Sequence, residues 1–201
     1  MKAAVLACLL AVVAATIWWF ATDDPAYRLH EITSMGRYDS QDELILASGK
    51  RYGVPPELIK AVIWRESRFH PEKTGAHGER GLMQITEAAA QDWAKAEKIE
   101  TFAPTDLYDP KVNIEAGSWY LGRALQHWKA KEDAVPFALA EYNAGRTRVH
   151  RWVKDSGRGE VAEADDLQAA MDFPGTKSYV ATIVDRYNFY KRHEELPQAA
   201  N

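Results

Sequence analysis

Two kinds of hydrophobic pattern divide the chain. Residues 3–21 (AAVLACLLAVVAATIWWFA) form an unbroken apolar run without charge, whereas from Ser40 onward apolar positions recur three and four residues apart between turn signals. That spacing predicts helices. Ser40-Gln41-Asp42-Glu43 reads as a capping box, and Leu44, Ile45, Ala47 and Ser48 continue on helical spacing until Gly53. Pro55 and Pro56 suit the first turn of a second helix, PPELIKAVIWRESRF, running to about Ser67. Further helices are predicted over 86–97, 110–129, 133–144 and 176–194, with Asp109-Pro110 and Asp133 as start signals and Gly145 as a stop. No stretch of six residues alternates with period two, so strands should be few and short. The acidic, small-residue-rich stretch 155–170 reads as a surface loop or short helix. Residues 22–39 show no sustained period and contain Pro25 and Gly36, as a linker would. The expected organisation is an N-terminal segment 1–21, a linker 22–39, a mostly α domain 40–194 and a short tail 195–201.

The apolar run is long enough to matter. Nineteen helical residues rise about 28 Å, close to the hydrocarbon thickness of a bilayer. Lys2 precedes the run and Asp23 and Asp24 follow it, which predicts a cytoplasmic N-terminus and an exported domain. A cleaved signal peptide is the rival reading. It calls for small residues after the run, whereas this run ends in Trp18, Trp19 and Phe20, which suit an interfacial belt. The expectation is a single-pass membrane anchor with the domain sent across the membrane, the alternative being secretion after cleavage. Cys8, the sole cysteine, falls within the run, so the exported domain carries no disulfide. Too few apolar residues precede Cys8 for a lipoprotein signal, and it reads as one more apolar residue of the span.

Composition narrows the function. Twenty-five Lys and Arg against 29 Asp and Glu leave a net charge of −4, which argues against a nucleic-acid partner held through its phosphates. The histidines His30, His70, His77, His127, His150 and His193 are scattered, without a His-Glu-x-x-His pair, so neither a metal nor another cofactor is expected. Ser67 lacks the Gly-x-Ser-x-Gly elbow of a serine nucleophile.

The candidate chemistry lies at the end of the second helix. Leu58, Ile59, Val62 and Ile63 make its core-facing stripe, and Glu66 falls on that stripe, seven residues after Ile59 and so within about 20° of it. Burial and the negative end of the helix dipole should raise its pKa, as a general acid working near neutrality requires. The plainer alternative is a partly exposed glutamate paired with Arg65. After it, HPEKTGAHGERGLMQ places Gly75, Gly78 and Gly81 in a loop returning toward the helix end. Met83 there offers a soft apolar surface, and Gln84 an amide suited to an N-acetyl or hydroxyl group. A third segment, Ala140 to Gly145, contributes Tyr142, which could hydrogen-bond Glu66 or sit in the core, and Asn143, which could cap the helix.

Glu66-Ser67-x-Phe69, Gly81-Leu82-Met83-Gln84, Tyr142-Asn143-Ala144-Gly145 and Thr176-x-x-Tyr179-Val180, in this order and spacing, resemble the lytic transglycosylase domain of glycoside hydrolase family 23, the soluble-lytic-transglycosylase type. Asp106 to Pro110, Asn113-Ile114, Gly117 and Tyr120-Leu121 resemble the family's helix between the second and third motifs. The resemblance runs from about Ser40 to Glu194. It implies a mostly α, lysozyme-like (goose-type) helical domain, here with an N-terminal transmembrane helix, acting on the glycan strands of peptidoglycan. Glu66 would be catalytic, protonating the glycosidic oxygen between N-acetylmuramic acid and N-acetylglucosamine and then taking the proton of the muramic C6 hydroxyl as a 1,6-anhydro ring closes. Ser67 and Gln84 would contact the sugar or order the site, Met83 would line the cleft and Tyr142 would hold Glu66, with Asn143 and Tyr179 as further binding candidates. Gly175 stands where the family often has Glu, and no proline follows the Gly-Leu-Met-Gln run.

The residues agree with a one-acid mechanism. Ordinary glycosidases use two carboxylates, yet no aspartate lies between Asp42 and Asp92, and Glu72 and Glu79 read as solvated loop charges. Two alternatives stay open: hydrolysis of the same bond, as in goose-type lysozymes, and an anchored glycan-binding domain without turnover.

Overall fold

In the computed structural model, residues 33–34, 36–193 and 196 are described. The expected anchor, Cys8, His30, most of the linker, Glu194 and nearly all of the tail lie outside them. Among the described residues no helix is long and apolar enough to cross a membrane. Residues 1–40 and 41–201 form two units; within the first, Arg37–Asp39 make a 3₁₀ turn.

The second unit contains eight α-helices among its described residues: α1 Asp42–Tyr52, α2 Pro56–Ser67, α3 Glu87–Ala96, α4 Pro110–Trp128, α5 Val135–Ala144, α6 Arg146–Asp155, α7 Ala164–Ala170 and α8 Pro174–His193. Its only β pairing among those residues is two isolated bridges, Thr74 with Arg80 and Arg80 with Ile85, which pin the glycine loop. α4 packs against α1, α3 and α5, and α8 lies across α2 and α5.

Most starts follow the sequence signals. Thr86 and Asp109 cap α3 and α4 by accepting from the Ala89 and Val112 amides at 3.3 and 3.1 Å. The expected capping box of α1 does not form. Ser40 spends its hydroxyl on the Arg37 carbonyl at 2.7 Å, and Gln41 is the N-cap, its side chain making no capping bond. Asp133 serves α5 from one residue outside its N-cap, accepting from the Val135 amide at 3.0 Å. Gly145, expected only as a stop, ends α5 and opens α6 with φ of 86°. The region 155–170 holds a 3₁₀ turn, Gly159–Val161, and then α7, where Asp166 accepts from the Glu163 amide at 3.0 Å.

α2 is buried well beyond the predicted stripe. Besides Leu58, Ile59, Val62 and Ile63, Ala61 and Lys60 are also wholly shielded. Lys60 is tolerated there because Asp42 of α1 lies 2.9 Å from its ammonium. One turn along the same face, the buried Arg186 of α8 stacks over the Trp64 ring, 4.1 Å from its centroid. The helix carrying Glu66 is therefore held by contacts from both α1 and α8.

Candidate active site

Glu66 sits one residue from the end of α2 with a partly exposed side chain. Beyond it the chain turns sharply, with Arg68 and Phe69 both at positive φ (54° and 61°). Ser67 makes that turn possible. Its buried hydroxyl donates to the Ile63 carbonyl at 3.2 Å and accepts from the Phe69 amide at 3.1 Å. Of the two roles expected for Ser67, the structure supports ordering; at 2% exposure the side chain has no surface for sugar contact.

The phenol that holds the acid comes from α8. Tyr179 donates to Glu66 Oε1 at 2.8 Å, whereas Tyr142, the expected partner, donates to the Met83 carbonyl at 2.8 Å. Tyr142 still lies within electrostatic reach of Glu66. Burial raises both phenols well above their ordinary pKa, so both remain donors. Arg65 does not pair with Glu66; it turns its guanidinium over the Tyr179 ring at 5.7 Å. Burial pushes the Glu66 carboxyl up to about 7, against the opposing pull of the Tyr179 hydrogen bond and of the Arg65 and Lys73 charges. The carboxyl is therefore close to half protonated at neutral pH.

The glycine loop closes the site from the other side. Lys73 donates from its ammonium to the Glu66 carbonyl. Its own carbonyl accepts from the Gly81 amide at 2.8 Å and from Gln84 Nε2 at 3.1 Å. Gln84, at φ 49°, also donates to the Gly81 carbonyl at 2.9 Å, so its amide nitrogen organises the loop. Gly75 lies close under the Glu79 and Gln84 side chains, and a Cβ there would displace their carboxylate and amide ends, approaching Gln84 Oε1 to 2.9 Å. Glu79 is partly buried, accepts from the His77 amide at 3.0 Å and lies near enough to Glu66 to favour its neutral form. The expectation that Glu79 is merely a solvated charge is thus corrected, because the loop folds it inward; Glu72 remains exposed beside His70.

Two motif residues have tasks that the sequence does not disclose. Asn113 of α4, wholly buried, clamps the loop by accepting from the Met83 amide at 2.7 Å and donating to the Arg80 and Leu107 carbonyls, each at 2.8 Å. Gly117, one turn on, gives Met83 its space, since a Cβ there would fall 2.8 Å from the Met83 Cβ. Met83 is itself wholly buried, so it supports the wall of the site without forming an open surface. The exposed Asn143 accepts from the Thr176 hydroxyl at 2.7 Å, which ties α5 to the start of α8 and is not the cap expected of it. Glu66, Tyr179, Tyr142, Met83 and Gln84 are thereby joined through direct bonds and the loop backbone, with Ser67 beneath and Asn143 at the α5–α8 junction.

The family model of the transglycosylase SLT domain matches residues 43–164, which contain the acid, the glycine loop and the α5 segment. The chain belongs to the SLT transglycosylase family. The soluble lytic murein transglycosylase of Escherichia coli K12 is 31% identical over 147 residues, 73% of this chain and 22% of that protein. The membrane-bound lytic murein transglycosylase F of Desulfosudis oleivorans is 35% identical over 105 residues, 51% of this chain and 21% of the relative. The chain thus spans about a fifth of the length of these curated relatives. Among solved structures, the 70 kDa soluble lytic transglycosylase of E. coli superposes with a TM-score of 0.69 at 26% identity, covering 77% of this chain and 24% of that one. Its complex with bulgecin A superposes at 0.70 with the same identity and coverage. This SLT domain has the mostly helical, lysozyme-like fold that the motifs imply.

Proposed function

We propose that this SLT domain is a peptidoglycan lytic transglycosylase, cleaving the β-1,4 bond between N-acetylmuramic acid and N-acetylglucosamine and leaving 1,6-anhydromuramic ends. The observation that carries this reading is Glu66: one partly exposed carboxyl at the end of a buried helix, held at Oε1 by Tyr179, with a pKa of about 7. Such a group can serve as acid and base in turn. Protonated Glu66 gives its proton to the glycosidic oxygen as the bond from C1 of muramic acid breaks. The carboxylate left behind takes the proton of the C6 hydroxyl as that oxygen bonds to C1, which restores the acid. No water enters the products, and no second enzyme carboxylate is required. Gln84, Tyr142, Asn143 and Tyr179 order the site around the sugar, while Ser67 and Met83 support it from below.

Glu79 favours a second reading, since it places another carboxylate within electrostatic reach of Glu66 and could position a hydrolytic water. Its bond to the His77 amide commits one oxygen to the loop. Digestion of purified peptidoglycan by the protein and by Glu66→Gln, with mass spectrometry of the fragments, separates the readings. Anhydro ends from the wild type alone are expected. Reducing ends would establish a muramidase, and absence of soluble fragments a glycan-binding domain.

The relatives named above include soluble and membrane-bound transglycosylases, so action at the cell wall is the location proposed. Residues 3–21 are the proposed single-pass inner-membrane anchor and 22–39 the linker that stands the domain, 40–194, off the membrane on its periplasmic face. Sedimentation of the full chain with membranes through a high-salt wash, and its release by detergent, is the result expected; a soluble product shortened by about twenty residues would show cleavage instead.

A further inference from the structure

The titratable and charged groups that face Glu66 come from every element around it. Tyr179 reaches it from α8 and Tyr142 from α5, Lys73 and Glu79 face it from the glycine loop, and Arg65 precedes it on α2. Most of these have a task of their own. Lys73 spends its ammonium on the Glu66 carbonyl, Glu79 accepts from the His77 amide at 3.0 Å, and Tyr142 donates to the Met83 carbonyl at 2.8 Å. Arg65 is used differently. Its half-buried guanidinium lies over the face of the Tyr179 ring, 5.7 Å from the centroid, with no carboxylate paired to it among the described residues.

Consecutive residues of a helix do not face each other, so Arg65 and Glu66 can work together only through a side chain from elsewhere. Tyr179 is that side chain. Its ring is buried, its face meets the guanidinium, and its hydroxyl donates to Glu66 Oε1 at 2.8 Å. A cation over an aromatic face is attracted by the ring quadrupole and fixes the ring's orientation. The charge acts on both partners. Burial raises the phenol and the carboxyl alike, and the positive charge of Arg65 pulls each of them the other way.

We propose that Arg65 is a positioning residue of the cleavage reaction: stacked on Tyr179, it holds the phenol against Glu66 Oε1 while the carboxyl passes between its acid and base forms. The inference rests on the reading of Glu66 as the acid and base of glycan cleavage. In each turnover the hydrogen bond from Tyr179 must survive a change of charge at its acceptor. A neutral carboxyl accepts more weakly than a carboxylate, so the bond holds the phenol least when Glu66 carries its proton. Stacking on Arg65 does not depend on that proton, and it keeps the ring in place through both halves of the cycle.

The test uses the full chain and purified peptidoglycan, with Arg65→Met, which removes the cation but keeps a long unbranched helix former, and Arg65→Lys, which restores a cation. Arg65→Met should lower kcat about fivefold with little change in KM, and should move the alkaline limb of the kcat/KM profile up by about half a unit as the carboxylate loses a favourable charge. Arg65→Lys should recover most of both. In a Tyr179→Phe background the same Met substitution should cost less than about twofold in kcat, because the hydroxyl that Arg65 positions is gone. An unchanged kcat, no recovery with Lys, or an equal loss in both backgrounds would overturn the role. If the wild type leaves peptidoglycan intact, the reading of Glu66 fails first, and carbon-13 NMR titration of the Glu66 carboxyl with line shapes of the Tyr179 ring still decides this inference. Arg65→Met should then raise the Glu66 midpoint and loosen the ring; an unmoved midpoint or an equally rigid ring would reject it.

Discussion

At the scale of single residues, the chemistry turns on what surrounds one carboxyl. Burial raises Glu66, and the Tyr179 hydroxyl, which stabilises the ionised form more than the neutral one, works against it. Removing that hydroxyl leaves burial less opposed. Tyr179→Phe should therefore move the alkaline limb of the kcat/KM profile to higher pH, by roughly half to one unit, while kcat falls about tenfold because the carboxyl loses its tether. Profiles measured from pH 5 to 9 check both shifts; a limb that stays in place would deny Tyr179 its role. The sequence made the acid legible, because position on a buried stripe follows from spacing alone. It did not make the partner legible. Tyr142 and Tyr179 belong to helices whose packing decides which phenol reaches Oε1, and nothing in either motif encodes that choice.

Between elements, the decisive contacts join α4 to the glycine loop. Spacing and turn chemistry disclosed most helices within a residue or two, since Thr86, Asp109 and the prolines act on their own neighbours. The misses have physical causes. α6 went unpredicted although Val149, Trp152 and Val153 recur at helical spacing, because Gly145 reads as a stop and here serves two helices. Asn113 was visible as a motif residue, but its task depends on a loop thirty residues earlier in the chain. Replacing it by Ala strips partners from one buried amide and two carbonyls. A loss of about 3 kcal/mol is expected for Asn113→Ala, allowing for partial relaxation. Urea unfolding measures it, and amide exchange should quicken first at Met83; a loss below about 1 kcal/mol would mean that the loop holds itself.

Across the whole molecule, the acid site carries a stability cost whose sign can be tested. A glutamate has a pKa near 4.3 when the chain is unfolded and, at Glu66, about 7 when folded. Between these values the folded state binds the extra proton, so the contribution of Glu66 to stability is complete below about pH 4.3, falls as pH rises, and is gone above about 7. Glu66→Gln keeps an acceptor for Tyr179 and cannot ionise. The difference in stability between variant and wild type should thus be near zero at pH 4 and grow to about 2 kcal/mol at pH 8, roughly half of what the full shift carries because solvent screens a partly exposed carboxyl, with the variant the more stable. For a domain of this size that is roughly 4–8 °C in Tm. Taking the difference cancels the pH dependence that the other carboxylates give both proteins. Calorimetry from pH 4 to 8 checks it, and a difference that is flat, or that favours the wild type at pH 8, would mean that burial does not raise the acid. Since the fold retains Glu66 against this cost, with Asp42 of α1 and Arg186 of α8 engaging α2 through Lys60 and Trp64, its frame is built to hold a carboxyl where solvent would otherwise keep it charged.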